Sequence, residues 1–172
     1  MGLFIDRIRE ITGLVKVTSR LVVTLPSVVP GIAPADALDA GDALGTVGKT
    51  DRDVDGNPLP DRGWIVGGKL IDPDDDTLAA TVHIYSAPIP GTASDDPLAH
   101  TAVDALGWIT SMAFPVTTDI GTATVAEVKD HNALFYSPSR TFWWQFSTAG
   151  TPNIAAGASP RVQFFIIPCN KP

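Results

Sequence analysis

Short runs of alternating apolar and polar residues, each closed by Gly, Pro or Asp, set the pattern of this chain. A period of two puts one side of a run in a core and the other in solvent, which is how a strand reads. Residues 15–25, rich in Val and Thr, predict a first strand, and Pro26, Pro30 and Pro34 break the stretch after it. A turn at Asp39-Ala40-Gly41-Asp42 leads into a short strand ending near residue 46, and residues 48–63 read as a long polar loop. Trp64–Ile71 predicts a strand whose Gly67-Gly68 pair implies a bulge or a close backbone approach. In Leu78–Ala87 the residues Ala80, Val82 and Ile84 share one face, and Thr81, His83 and Tyr85 share the other. Residues 88–105 predict a loop with one helical turn around Pro97–Thr101. Strands are then expected over Leu106–Phe114, Thr122–Val128, Leu134–Tyr136, Thr141–Thr148 and Arg161–Pro168. About nine short strands at this spacing predict an all-β fold, an antiparallel β-sandwich.

The densest apolar run is Phe142-Trp143-Trp144-Gln145-Phe146. Alternation assigns Phe142, Trp144 and Phe146 to the core and turns Trp143 and Gln145 to the second surface. Trp143 is therefore the candidate for a contact outside the core, either sheet-to-arm packing or a subunit interface. The N-terminus departs from the strand pattern. Phe4, Ile5, Ile8, Ile11 and Leu14 recur near helical spacing with Arg7, Arg9 and Glu10 between them. That fits a short amphipathic helix, or an arm that orders on a partner. The division expected is an arm over residues 1–14 and one β-sandwich domain over 15–172, with Phe4, Ile5, Ile8 and Ile11 as partner-binding positions.

Composition supports the strand reading. The 15 Gly and 15 Pro favour turns, and of the 19 acidic residues only Glu10 and Glu127 are Glu. Asp belongs to turns and caps, Glu to helices. The net charge of −7, with 12 scattered basic residues, argues against nucleic-acid binding, which needs clustered Lys and Arg on phosphates. No stretch is long and apolar enough to span a membrane as a helix. Asp6, Arg7 and Arg9 interrupt the apolar start, unlike a secretory signal, and Asp6 stands where a myristoylation motif needs Ser or Thr.

Candidate chemistry is sparse. Asp51-Arg52-Asp53-Val54-Asp55-Gly56 opens like a calcium loop, with oxygen ligands at alternate positions and Gly at the sharp turn. The pattern then fails, because Pro58 replaces a β-branched residue and Arg62 stands where the bidentate Glu belongs. Asp51, Asp53 and Asp55 are the candidate cation ligands, and a solvated hairpin loop is the simpler reading. Asp72, Asp74, Asp75 and Asp76 read as a solvated acidic turn, with a cation-bridged subunit contact as the sharper idea. His83, His100 and His131 have no metal-ligand spacing and would need the fold to bring them together with a carboxylate. No nucleophile elbow or phosphate-cradling loop is present, and Cys169 has no base nearby in sequence. Neither catalytic residues nor a cofactor are expected, and the chain does not read as an enzyme.

The order of several pieces resembles a family of small virion structural proteins of tailed bacteriophages, often encoded near the major capsid protein. The pieces are Asp39–Gly45, then Gly63–Asp72, His83-Ile84-Tyr85-Ser86-Ala87-Pro88 with Asp95-Asp96-Pro97-Leu98, and Leu106-Gly107-Trp108-Ile109. Phe142–Phe146, Gly150-Thr151-Pro152 and Val162–Ile167 close the set. The resemblance covers residues 36–168. The family's tyrosine-glycine pair in the penultimate strand stands here as Trp143-Trp144, and the loop at 48–63 is longer. The resemblance implies a jelly-roll-like sandwich, commonly a homotrimer, acting as a capsid decoration (cement) protein. Its partner would be the major capsid protein, and its place the outer capsid surface of the virion. Relatives that serve as tail, head-fibre or baseplate components give the alternative: a host-receptor role in which exposed Trp residues hold a glycan.

Overall fold

The computed structural model describes residues 20–32, 38–73, 78–115, 117–150 and 159–169. The expected arm, with Phe4, Ile5, Ile8 and Ile11, lies outside the described residues, as do Asp74, Asp75 and Asp76. The described chain is all-β, with eleven strands: β1 (Val22–Val23), β2 (Ser27–Val28), β3 (Ala43–Thr50), β4 (Arg62–Asp72), β5 (Ala80–Tyr85), β6 (Trp108–Phe114), β7 (Thr118–Asp119), β8 (Thr124–Val128), β9 (Ala133–Tyr136), β10 (Phe142–Thr148) and β11 (Arg161–Pro168). Two antiparallel sheets face each other. One has seven strands, running β1-β11-β4-β8-β7 with β2 also on β11 and β9 also on β4; the other runs β3-β10-β5-β6. The β3–β4 and β9–β10 connections both cross from one sheet to the other.

The core lies between the sheets and follows the alternation. Phe142, Trp144 and Phe146 of β10 meet Val162, Phe164 and Ile166 of β11, with Val82, Ile84, Ile65 and Leu70 filling between them. Phe142 stands edge-on to both Phe135 and Phe164, which is the favoured arrangement of aromatic quadrupoles. Gly48 lies opposite Trp144 on β3, where a Cβ would collide with the indole ring. The indole N–H then reaches the Thr50 hydroxyl at 2.9 Å. This packing is why β3 runs on to Thr50, three residues into the stretch expected as loop. The Gly67-Gly68 pair sits at a register shift between β4 and β11, and a Cβ on Gly67 would strike the Val128 carbonyl.

Three other expectations shift. Of the first strand expected over residues 15–25, residues 15–19 lie outside the described residues; the rest holds β1 only, β2 follows it on the same partner β11, and the chain leaves the ladder between them at Leu25-Pro26. Pro26 has no N–H to donate, and the Leu25 N–H turns to the Arg52 carbonyl. The helical turn lies at Asp104–Leu106 rather than Pro97–Thr101. It is set by a capping box in which the Asp104 carboxylate accepts from the Thr101 N–H at 2.7 Å and its hydroxyl at 2.8 Å. Asp72 is no member of a solvated turn, for it ends β4 fully buried, opposite Thr124.

Candidate functional site

The sandwich has two outer faces of different make. On the four-stranded sheet, β10 and β5 pair so that Trp143 lies beside Tyr85 and Gln145 beside His83. Ser111 of β6 flanks His83 on the other side. This is the second surface that alternation assigned to Trp143 and Gln145. It is largely roofed by the β5–β6 connection, residues 86–107.

Gln145 is fully buried beneath that roof. Its amide nitrogen donates to the Gly45 carbonyl at 3.0 Å and the Thr92 carbonyl at 2.6 Å, and its oxygen accepts from the Thr92 N–H at 3.0 Å. One side chain thus replaces the backbone partners that this loop segment lacks. His100, carried down by the same loop, shares a hydrogen bond with the Tyr85 hydroxyl and packs edge-on against both Tyr85 and His83. His83 binds hydroxyls through both ring nitrogens, Nδ1 to Ser111 at 2.8 Å and Nε2 to Ser147 at 3.1 Å. Burial, with His100 beside it, pushes the His83 ring down to about 4. Burial also pushes the Tyr85 hydroxyl up to about 12, aided by the Asp104 carboxylate. Asp104 itself is held below the usual carboxylate range by the Thr101 backbone N–H and then the Thr101 hydroxyl.

The chemistry of this cluster is that of a latch. His83 is neutral near pH 7 and takes a hydroxyl on each nitrogen, so no carboxylate orients the ring as in a Ser-His-Asp triad. His83 and His100 do come together, but His131 binds the Thr110 hydroxyl elsewhere, at 2.8 Å. Among the described residues no group of three His, Cys, Asp or Glu is placed to hold a metal ion.

Trp143 is half-buried at the rim of this face, between Lys49 and Tyr85 in register. The more exposed indole is Trp108 at 52 %, which the strand pattern does not single out for contact. Val103 and Leu106, the latter 88 % exposed, are the other exposed apolar side chains near where the roofing loop re-enters the sheet. The available signal is that Val103, Leu106 and Trp108 flank one turn, but alternation divides them between a loop and a strand.

The expected cation loop is a hairpin, with an antiparallel bridge from Arg52 to Pro58 and Gly56 at φ +81°. Its three carboxylates serve different partners. Asp51 pairs with Lys49 at 3.2 Å, and Asp55 with Arg20 at 2.9 Å. Asp53 accepts from the N–H groups of Asp55 and Asn57 and from the Asn57 amide. Desolvation is the largest single influence on Asp53 and opposes its ionisation, but the Asn57 side chain, these backbone donors and Arg20 together outweigh it and hold the carboxyl below its ordinary range.

The outer face of the seven-stranded sheet is polar at one end, where Gln163, Lys69 and Glu127 lie in register, and apolar at the other. Register places Ile167 of β11, Trp64 of β4 and Leu134 of β9 side by side on the outward side. Leu21, just before β1, continues the row at the sheet edge. The next row brings Cys169, Arg62 and Tyr136 together, with the Arg62 guanidinium 5.4 Å from the centre of the Tyr136 ring. A shallow cavity of about 340 Å³ lies there, lined by Arg62, Leu134, Phe135, Tyr136 and Cys169. Leu134 is 62 % and Tyr136 60 % exposed. No helix among the described residues is long and apolar enough to cross a membrane.

The described residues form an antiparallel β-sandwich with one outer face roofed by residues 86–107 and the other carrying an apolar row with no described segment above it. No protein-family model matches the chain, and no curated protein matches it.

Proposed function

We propose that this chain is a structural component of a tailed-phage virion, a decoration protein that binds the outer surface of a major capsid protein lattice and stabilises it. The observation that carries the reading is the exposed apolar set of Val103 and Leu106, at the end of a loop that Gln145 and His100 fasten down, with Trp108 at the start of β6. Large apolar side chains exposed on a fixed support suit docking, since little conformational entropy is lost when they are covered. The order of sequence pieces that resembles phage virion proteins supports the same reading. So does the net charge of −7, which suits the outside of a shell better than its DNA-filled lumen. Trimeric assembly belongs to the proposal through that resemblance. Many weak contacts repeated over a lattice would supply avidity without a reactive centre.

The test is co-sedimentation of purified protein with capsids stripped of decoration. A Leu106→Ser, Trp108→Ser double variant should stay folded and lose most of its capsid binding. Undiminished binding by the double variant would count against the reading. The glycan alternative now rests on Trp108 rather than Trp143, because Trp108 is exposed and its indole N–H is anchored on the Ser111 hydroxyl at 3.2 Å. Glycan-array binding that disappears in Trp108→Ala would favour it.

A further inference from the structure

The apolar end of the seven-stranded sheet holds one cation. β4 sets Arg62 opposite Tyr136 of β9, one row along from the Trp64–Leu134 pair. The Cys169 N–H donates to the Arg62 carbonyl at 3.2 Å, which keeps the residue after β11 alongside. The cavity of about 340 Å³ opens among these residues, with Leu134, Phe135 and Tyr136 giving it a mostly apolar lining. The guanidinium in that lining is short of acceptors. Its Nε is buried and meets no hydrogen-bond partner among the described residues. Asp61 lies 3.6 Å from Nη2, outside hydrogen-bond range. The Tyr136 ring, 5.4 Å from the guanidinium, attracts the cation but supplies no lone pair in a fork geometry.

We propose that this cavity binds a small apolar carboxylic acid, an aryl or alkyl acid whose carboxylate pairs with Arg62 and whose body lies on Leu134 and Tyr136. The two halves of the site ask for the two halves of such a ligand. A planar guanidinium matches a carboxylate and supplies charge-assisted donors. The exposed Leu134 and Tyr136 side chains reward an apolar body that removes them from water. A neutral apolar molecule would cover the cation without giving it an acceptor, and a bare anion would leave the apolar lining wet. The volume falls within the range of small-molecule sites. Asp61 competes for the same guanidinium and weakens the site. The proposal needs no capsid, so its failure would leave the decoration reading untouched.

The test is titration of the nitrogen-labelled full chain with phenylbutyrate at physiological salt, followed by amide chemical shifts. Phenylbutanol, with the same body and no charge, and acetate, with the charge and no body, are the controls. Phenylbutyrate should give saturable shifts at Leu134, Tyr136 and Cys169 and bind at least about tenfold tighter than either control. Arg62→Met should reduce its binding to the level of the alcohol. Asp61→Asn, which removes the competing carboxylate, should tighten it about threefold. Leu134→Asp, at an exposed position away from the core, should abolish it with Arg62 in place, and so decides the matter if Arg62→Met does not fold. The proposal is overturned if phenylbutyrate gives no saturable shift at these amides, if phenylbutanol binds as tightly, or if Leu134→Asp leaves binding unchanged. A peptide with a C-terminal phenylalanine is the last arm. Tighter binding by the peptide than by phenylbutyrate would make the ligand a chain end and overturn the free acid.

Discussion

The two outer faces of this sandwich handle the same problem in opposite ways. Each sheet must do something with the side of its strands that does not enter the core. The four-stranded sheet puts His83, Tyr85 and Gln145 there and roofs them with residues 86–107, using side-chain hydrogen bonds in place of a second apolar layer. The seven-stranded sheet puts Trp64, Leu134, Tyr136 and Ile167 there and has no described segment above them. A polar face can be closed by a loop because each buried group finds a named partner. An apolar face has no such directional demands and accepts any cover of the right size. The roofed face is therefore fixed by directional bonds, and the apolar row carries no such bonds among the described residues.

That contrast can be broken at several points. The largest effect is expected from Tyr85→Ala, which removes a fully buried ring together with the partner of His100. It should cost about 3–5 kcal/mol, in the range of large aromatic truncations, read by denaturant unfolding. Gln145→Leu keeps the volume but strands the Thr92 N–H and two carbonyls. A loss of roughly 1–3 kcal/mol is expected, with faster amide exchange over residues 90–93. Unchanged exchange there would show that the roof does not depend on this amide.

Acid gives a third test. The His83 ring is held down to about 4 in the folded state, against an ordinary value near 6.5. Its contribution to stability is complete above 6.5. It is lost as pH falls from there through about 4, because the unfolded chain takes up the proton first. Wild type should lose stability over that window, and His83→Gln should lose less; parallel pH curves for the two would contradict the assignment. The smallest effect is expected on the apolar row. Leu134→Ser should change the unfolding free energy of the sandwich by no more than about 0.5 kcal/mol, as exposed positions do.

Much of the fold is legible in the residues because burial here obeys period two. The assignment of Phe142, Trp144 and Phe146 inward and Trp143 outward holds residue by residue, and the Gly67-Gly68 pair marks a true register shift. What alternation does not encode is what another segment later covers. Gln145 points outward by period yet ends fully buried, since its cover arrives from residues about 50 positions away. The same limit hides the meeting of His83 with His100, although period two already places Thr81, His83 and Tyr85 on one face. Gly48 misleads for a different reason. Glycine reads as a break, but here it makes room for an indole inside a strand. The Thr101-x-x-Asp104 capping box is present in the sequence and is a better guide than Pro97 to the helical turn at Asp104–Leu106.

The placement of this chain on a particle tests the proposed role most directly. Imaging of intact virions by electron cryomicroscopy at side-chain resolution should show sandwich density repeated across the outer capsid lattice, with Leu106 and Trp108 against the shell. A lattice without such density, or copies confined to a tail, a fibre or one vertex, would contradict it.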